Sequence, residues 1–356
     1  MNDRRKNLSL AEIGRRFHVS AATVSNILNN KGKFSPELAG KILAFVDEVE
    51  YRPNLLAQSL KGNSKIVGFC LRGNLEDPWY IRVMAEVQNG LRRHGFYVGT
   101  VLGEQDLLQV RQTLDLFIQL RAAAVVLGPL GYTAEYEELR PVLDKLNFVT
   151  AFDTLEPMPL PSVRVNVYRA ACGGVRHLYD CGHRRIGFLL TTLEAAREVD
   201  SVRNRFEGYR QALADAKLEF DPALISELGP ALSHMRPSDV GLELFSYPAM
   251  NRLLHLPCPP TAVLLLWDEL APGAIAAIRD TRREVPRDVS LVGFNDDELC
   301  TLITPRLSTV RQDGEAMGEA AVRLLAERIN RNTPIPPRTL VPSRFINRDT
   351  TASLTK

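Results

Sequence analysis

The chain has 356 residues, 45% hydrophobic and 24% charged, enough to bury a two-lobed body beside a small extra domain. It has no apolar run as long as a membrane span, and its start, Met1-Asn2-Asp3-Arg4-Arg5-Lys6, is polar with no signal region, so a cytoplasmic protein without a membrane partner is expected. Cys70, Cys172, Cys181, Cys258 and Cys300 are odd in number and lack a C-x-x-C spacing, which argues for reduced thiols and against a disulfide scaffold. The net charge of +2 is unevenly placed: residues 1–64 hold ten Lys or Arg against six acids, and the remainder is slightly acidic. A basic excess at one end suits a phosphate-facing surface.

Taken in order, Ser9-Leu10-Ala11-Glu12 is a capping box, and Leu10, Ile13 and Phe17 form the stripe of a first helix. His18-Val19-Ser20 separates it from a second, with Ser20 as N-cap. At a 3.6-residue period Val24, Ile27 and Leu28 share one face; Ala21, Ala22, Ser25 and Asn26 share the other. Ser35-Pro36 opens a third helix whose apolar positions are Leu38, Ile42, Phe45, Val46 and Val49. Two short helices around a tight turn make either a plain helical core or a helix-turn-helix, whose second helix lies in the DNA major groove.

The run Val19-Ser20-Ala21-Ala22-Thr23-Val24-Ser25-Asn26-Ile27-Leu28-Asn29, followed by Tyr51-Arg52-Pro53-Asn54-Leu55-Leu56-Ala57-Gln58-Ser59-Leu60, resembles the lactose and galactose repressor family of bacterial transcription regulators. The resemblance implies that double-stranded operator DNA is met by Ser20, Ala21, Ala22, Thr23, Ser25, Asn26, Asn29, Tyr51, Asn54, Ala57 and Leu60. Ala21, Ala22 and Asn26 occupy the base-facing positions. An alanine methyl suits the thymine methyl, and Asn26 can pair bidentately with adenine. Where family members often carry arginine this chain has Asn26, and His18 stands where glycine is usual, at a turn that would tolerate His if φ is positive. Asn54 to Leu60 resembles a hinge helix that orders on DNA beside its partner copy, with Leu60 as a minor-groove wedge.

From Lys65 onward, strand-like runs at 66–71, 97–102, 123–127 and 148–152 alternate with helical patterns near 79–94, 105–120 and 134–146. A second set has strands at 163–165, 186–190, 262–266 and 290–292, with helices near 168–181, 203–216, 238–254, 269–282 and 314–330. The expected fold is α/β, a helix-turn-helix headpiece plus a two-lobed body like the periplasmic binding proteins, with parallel sheets wrapped by helices. The expected boundaries are a headpiece at 1–53, a hinge at 54–64, an effector-binding and dimerisation body at 65–345 and a tail at 346–356. Within the body, lobe 1 takes about 65–165 plus 312–341, lobe 2 about 166–311, and the chain crosses near 165, 311 and 341.

In such folds ligands sit at strand C-termini between lobes. The resemblance places a small-molecule effector against Trp79, Tyr80, Asp153, Asn166, Arg205, Trp267, Asp268 and Asn295, with either tryptophan alternatively filling core. Asn166 and Asn295 replace carboxylates and Trp267 replaces an amide, which weakens a sugar as the default effector, since amides accept hydrogen bonds less strongly and also donate. His177, Cys181 and His183 lack a fourth zinc ligand nearby, so no metal is expected, nor any cofactor. No leucine heptad follows Asp349, so a homodimer is expected in place of a tetramer. A transport-type binding protein lacks support from the polar start and the headpiece. For an enzyme, no phosphate loop or nucleophile elbow is found.

Overall fold

The computed structural model describes residues 8–28, 32–51, 64–72, 78–104, 106–128, 133–151, 161–198, 200–229 and 241–354. The chain divides into two compact units, 1–58 and 59–356, so the division falls inside the segment expected as a hinge. Asn29, Asn54, Ala57, Leu60 and Asp153 lie outside the described residues.

The first unit holds α1 (Leu10–Arg16), α2 (Ala21–Leu28) and α3 (Pro36–Glu48). Each begins at a hydroxyl cap. Ser9 Oγ accepts from the Glu12 N–H at 3.2 Å while Glu12 accepts from the Ser9 N–H at 2.7 Å, and Ser20 and Ser35 accept from Thr23 and Leu38. Ile13, Val24 and Ile42 are fully buried where the helices meet, each contributing about 1.5–3 kcal/mol of burial. His18 takes φ +52°, the left-handed turn that the sequence allowed for. Gly14 is the complement of that turn: a Cβ there would stand 2.6 Å from the Val19 carbonyl oxygen, so only glycine lets the turn fold back onto α1.

The second unit contains two six-stranded sheets. Lobe 1 has the order β11-β5-β4-β3-β1-β2, from β1 (Ile66–Arg72), β2 (Tyr97–Glu104), β3 (Ala124–Leu127), β4 (Phe148–Ala151), β5 (Ser162–Val165) and β11 (Thr339–Val341). Lobe 2 has the order β12-β10-β9-β8-β6-β7, from β6 (Ile186–Leu190), β7 (Ile225–Glu227), β8 (Ala262–Leu265), β9 (Ser290–Asn295), β10 (Ser308–Gln312) and β12 (Ser343–Ile346). Among the described residues every pairing is parallel except β10 with β12. The helices are α4 (Pro78–Arg93), α5 (Leu107–Gln119), α6 (Thr133–Leu143), α7 (Val167–Asp180), α8 (Ala195–Glu198), α9 (Asp200–Asp215), α10 (Glu243–Leu254), α11 (Ala271–Asp280), α12 (Leu299–Leu302) and α13 (Gly314–Arg331). Strands β3, β5, β6, β8 and β9 are buried along their whole length, as sheets covered on both faces require.

Two features refine the expected organisation. The second sheet is not wholly parallel, because the chain returns to lobe 2 through β12 and closes its edge antiparallel. Residues 346–354, within the expected C-terminal tail, pack back on lobe 2. Thr350 is fully buried, its hydroxyl donating to the Leu291 carbonyl and accepting from the Ser308 N–H, both at 2.8 Å. Leu354 donates to the Cys181 carbonyl, and His177 and His183 bond Thr351 and Ala352. The three residues weighed as zinc ligands therefore anchor a C-terminal strap.

Candidate functional site

On α2, Ala22 and Asn26 are exposed one turn apart, so they share a face, with Ala21 and Ser25 half-buried beside them. Ser20 and Thr23 fix the helix start: the Ser20 hydroxyl accepts the Thr23 N–H and lies 2.9 Å from the Thr23 hydroxyl. Tyr51 packs half-buried on the headpiece core and its N–H donates to the Val46 carbonyl, while burial pushes its phenol pKa up. The outcome is a rigid helix with one short amide and small methyls outward, able to reach base edges and offering no cation to them.

In the second unit, the C-terminal end of β9 carries Asn295-Asp296-Asp297, with φ +117° at Asn295 and +62° at Asp296. Asn295 Oδ1 accepts from Gln312 Nε2 at 2.6 Å. Asp296 binds Arg348 at 2.5 Å and Arg311 at 3.0 Å, and Asp297 binds Arg82 of α4 at 2.6 Å. Trp79, also on α4, donates its indole N–H to the Gln312 carbonyl at 3.2 Å and meets Tyr80 edge-on at 5.4 Å between ring centroids. Arg205 of α9 is buried with its guanidinium 4.3 Å from the Phe294 ring centroid, a cation–π contact. Gln312 thus joins Trp79 to Asn295, and Asn295 follows the ring that carries Arg205.

Asp268 departs from the expected role of facing a ligand. It is fully buried; Oδ1 accepts from the Thr309 hydroxyl at 2.6 Å and Oδ2 from the Asp297 N–H at 2.9 Å. Burial raises its pKa, opposed by those donors and the Cys300 thiol. Gly293 is required beneath it, since a Cβ would collide with the carboxylate. Its geometry is that of a brace joining the ends of β8, β9 and β10. Asn166 Oδ1 caps α7 by accepting from the Arg169 N–H at 3.0 Å, leaving its amide N–H groups for other partners. Trp267 is half-buried just before Asp268, and Trp79 is almost wholly inside the core. Gln312, Asp296, Asp297, Arg82, Arg311 and Arg348 were not found from the sequence; a signal existed for Arg311 and Gln312, at the end of β10 where the chain crosses between lobes, and for Asp296 and Asp297, just beyond β9, whereas Arg82 inside α4 carried none.

A headpiece of this kind ahead of two Rossmann-like lobes defines a class of two-part regulators. Residues 9–54 match the model for bacterial regulatory proteins of the lacI family, and residues 175–351 match the periplasmic binding protein-like domain, together more than half of the chain. The chain belongs to the lacI family. It is 27% identical over 330 residues to the HTH-type transcriptional repressor PurR of Haemophilus influenzae, covering 90% of this chain and 91% of the relative. The ribose operon repressor of the same organism is 29% identical over 339 residues, covering 94% and 95%. Among solved structures, the lac repressor dimer bound to operator and the anti-inducer ONPF superposes with a TM-score of 0.80 at 21% identity, covering 98% of this chain and 100% of that one. The transcriptional regulator CelR in complex with cellobiose gives 0.67 at 23% identity, covering 96% and 99%.

Proposed function

We propose that this protein is a homodimeric transcriptional repressor that binds a pseudo-palindromic operator and changes its DNA affinity when a small molecule enters between the lobes. The observation that carries this reading is the exposed Ala22–Asn26 face of a helix capped by the Ser20 hydroxyl and seated on the buried Ile13, Val24 and Ile42 core. Asn26 reads adenine, Ala21 and Ala22 meet thymine methyls, and Ser20, Thr23, Ser25, Asn29, Tyr51 and Asn54 contact the backbone around them. Ala57 and Leu60 serve the hinge, Leu60 as the wedge. Trp79, Tyr80, Asp153, Asn166, Arg205, Trp267 and Asn295 surround the effector, with Asp268 bracing them from below. The setting for this work is the cytoplasm, where the operator is.

Selection of random duplexes by the full-length protein is expected to return a dyad-symmetric site whose affinity falls steeply with salt. Asn26→Ala is expected to lose about 1–3 kcal/mol of discrimination at one base pair per half-site and little elsewhere. Failure to enrich any symmetric duplex overturns the reading; uniform loss across a mismatch panel overturns only the role of Asn26. A thermal-shift screen of sugars, sugar acids and nucleosides identifies the effector class.

A further inference from the structure

Arg82 and Trp79 stand three residues apart on α4 of lobe 1, and both reach lobe 2 chain: Trp79 takes the Gln312 carbonyl at the end of β10, and Arg82 takes Asp297 beyond β9. The ion pair is asymmetric in burial, with the Arg82 side chain 38% exposed and that of Asp297 only 2%. A carboxylate removed from water in this way depends heavily on its cationic partner. Asp297 is no isolated anchor. Its N–H donates to Asp268, the residue after Trp267, and Asn295 lies two positions before it. One guanidinium therefore holds the loops that carry Asn295 and Trp267 to the helix that carries Trp79 and Tyr80.

We infer that Arg82 is a positioning residue: its ion pair with Asp297 ties the lobes together through the protein's own side chains and presets the loops of the interlobe site. A ligand then acts on a cleft already held by the protein's own charges, and the ligand-free balance of lobe arrangements is set by this pair. The inference deepens the sensor reading and rests on it for its regulatory meaning. Its test needs neither operator nor effector, so the two can fail separately.

The only two tryptophans of the chain are Trp79 and Trp267, one from each lobe, so intrinsic emission reports this junction. In the full-length protein, Arg82→Gln is expected to shift emission to longer wavelength and increase acrylamide quenching, with unchanged far-UV circular dichroism and a larger radius of gyration by X-ray scattering. Arg82→Lys, which keeps the charge, is expected to lie between the two. The exchanged pair Arg82→Asp with Asp297→Arg is expected to return emission toward wild type. Emission and quenching of Arg82→Gln equal to wild type overturn the inference, as does an Arg82→Lys protein no closer to wild type than Arg82→Gln. The single substitutions at Arg82 suffice should the exchanged pair not fold.

Discussion

Burial pulls the His183 imidazole below its ordinary value of 6.5, and its neighbours determine which nitrogen carries the proton. Nε2 lies 3.2 Å from the Ala352 carbonyl, which can only accept, so Nε2 donates there and Nδ1 accepts from the Thr261 hydroxyl at 3.0 Å. His177, stacked on Phe345, is shifted in the same direction by burial. A histidine whose folded pKa is lowered binds its proton more readily when unfolded, so stability is complete above 6.5 and is lost as pH falls from there through the folded pKa. The melting temperature is expected to decline between pH 7 and pH 5, and less so in His183→Asn, whose own baseline is lower. A decline of equal size in both proteins would assign the effect to other groups. The same logic of environment over residue type applies to Asp268. Its sequence position suggested a ligand-facing carboxylate, and the packing around Gly293 turned it into an internal acceptor.

Among the elements, the C-terminal strap was the least visible in the sequence. Strands β1, β3, β6, β8 and β9 announce themselves as apolar runs because both of their faces are covered. β10, β12 and the strap are short and mixed in polarity, and they acquire their role only from partners far along the chain. Their stability rests on hydrogen bonds such as those of Thr350, which no hydrophobic period records. Thr350→Val keeps the volume and removes the hydroxyl, leaving the Ser308 N–H and the Leu291 carbonyl unsatisfied. Urea unfolding is expected to show a loss of about 1–3 kcal/mol, and a loss below the error of the extrapolation would show that water replaces the hydroxyl. The headpiece was far more legible, because its caps and its three-helix stripe are local signals. The positive φ at His18 could be foreseen as a condition, whereas the reason for Gly14 depends on a turn five residues away.

At the scale of the whole molecule, the two units have separate cores: Ile13, Val24, Ile27 and Ile42 in one, and in the other a continuous cluster running from Val67 through Leu265 to Met317 and Val341. Removal of residues 1–58 is therefore expected to leave a folded body with native circular dichroism and cooperative melting, while retardation of operator DNA is abolished. A body that aggregates or melts without cooperativity would mean that its fold depends on the first unit.

The order of strands also bears on how the chain is made. The edge strand β11 and helix α13 of lobe 1 come from residues 314–341, after ten of the eleven other strands, and lobe 2 waits for β12 and Thr350. Neither sheet is complete until residues 339–346 have left the ribosome, so both nascent halves hold incomplete sheet edges up to that point. The interleaving of the two sheets thus couples their maturation, each edge waiting for a strand that follows residue 338.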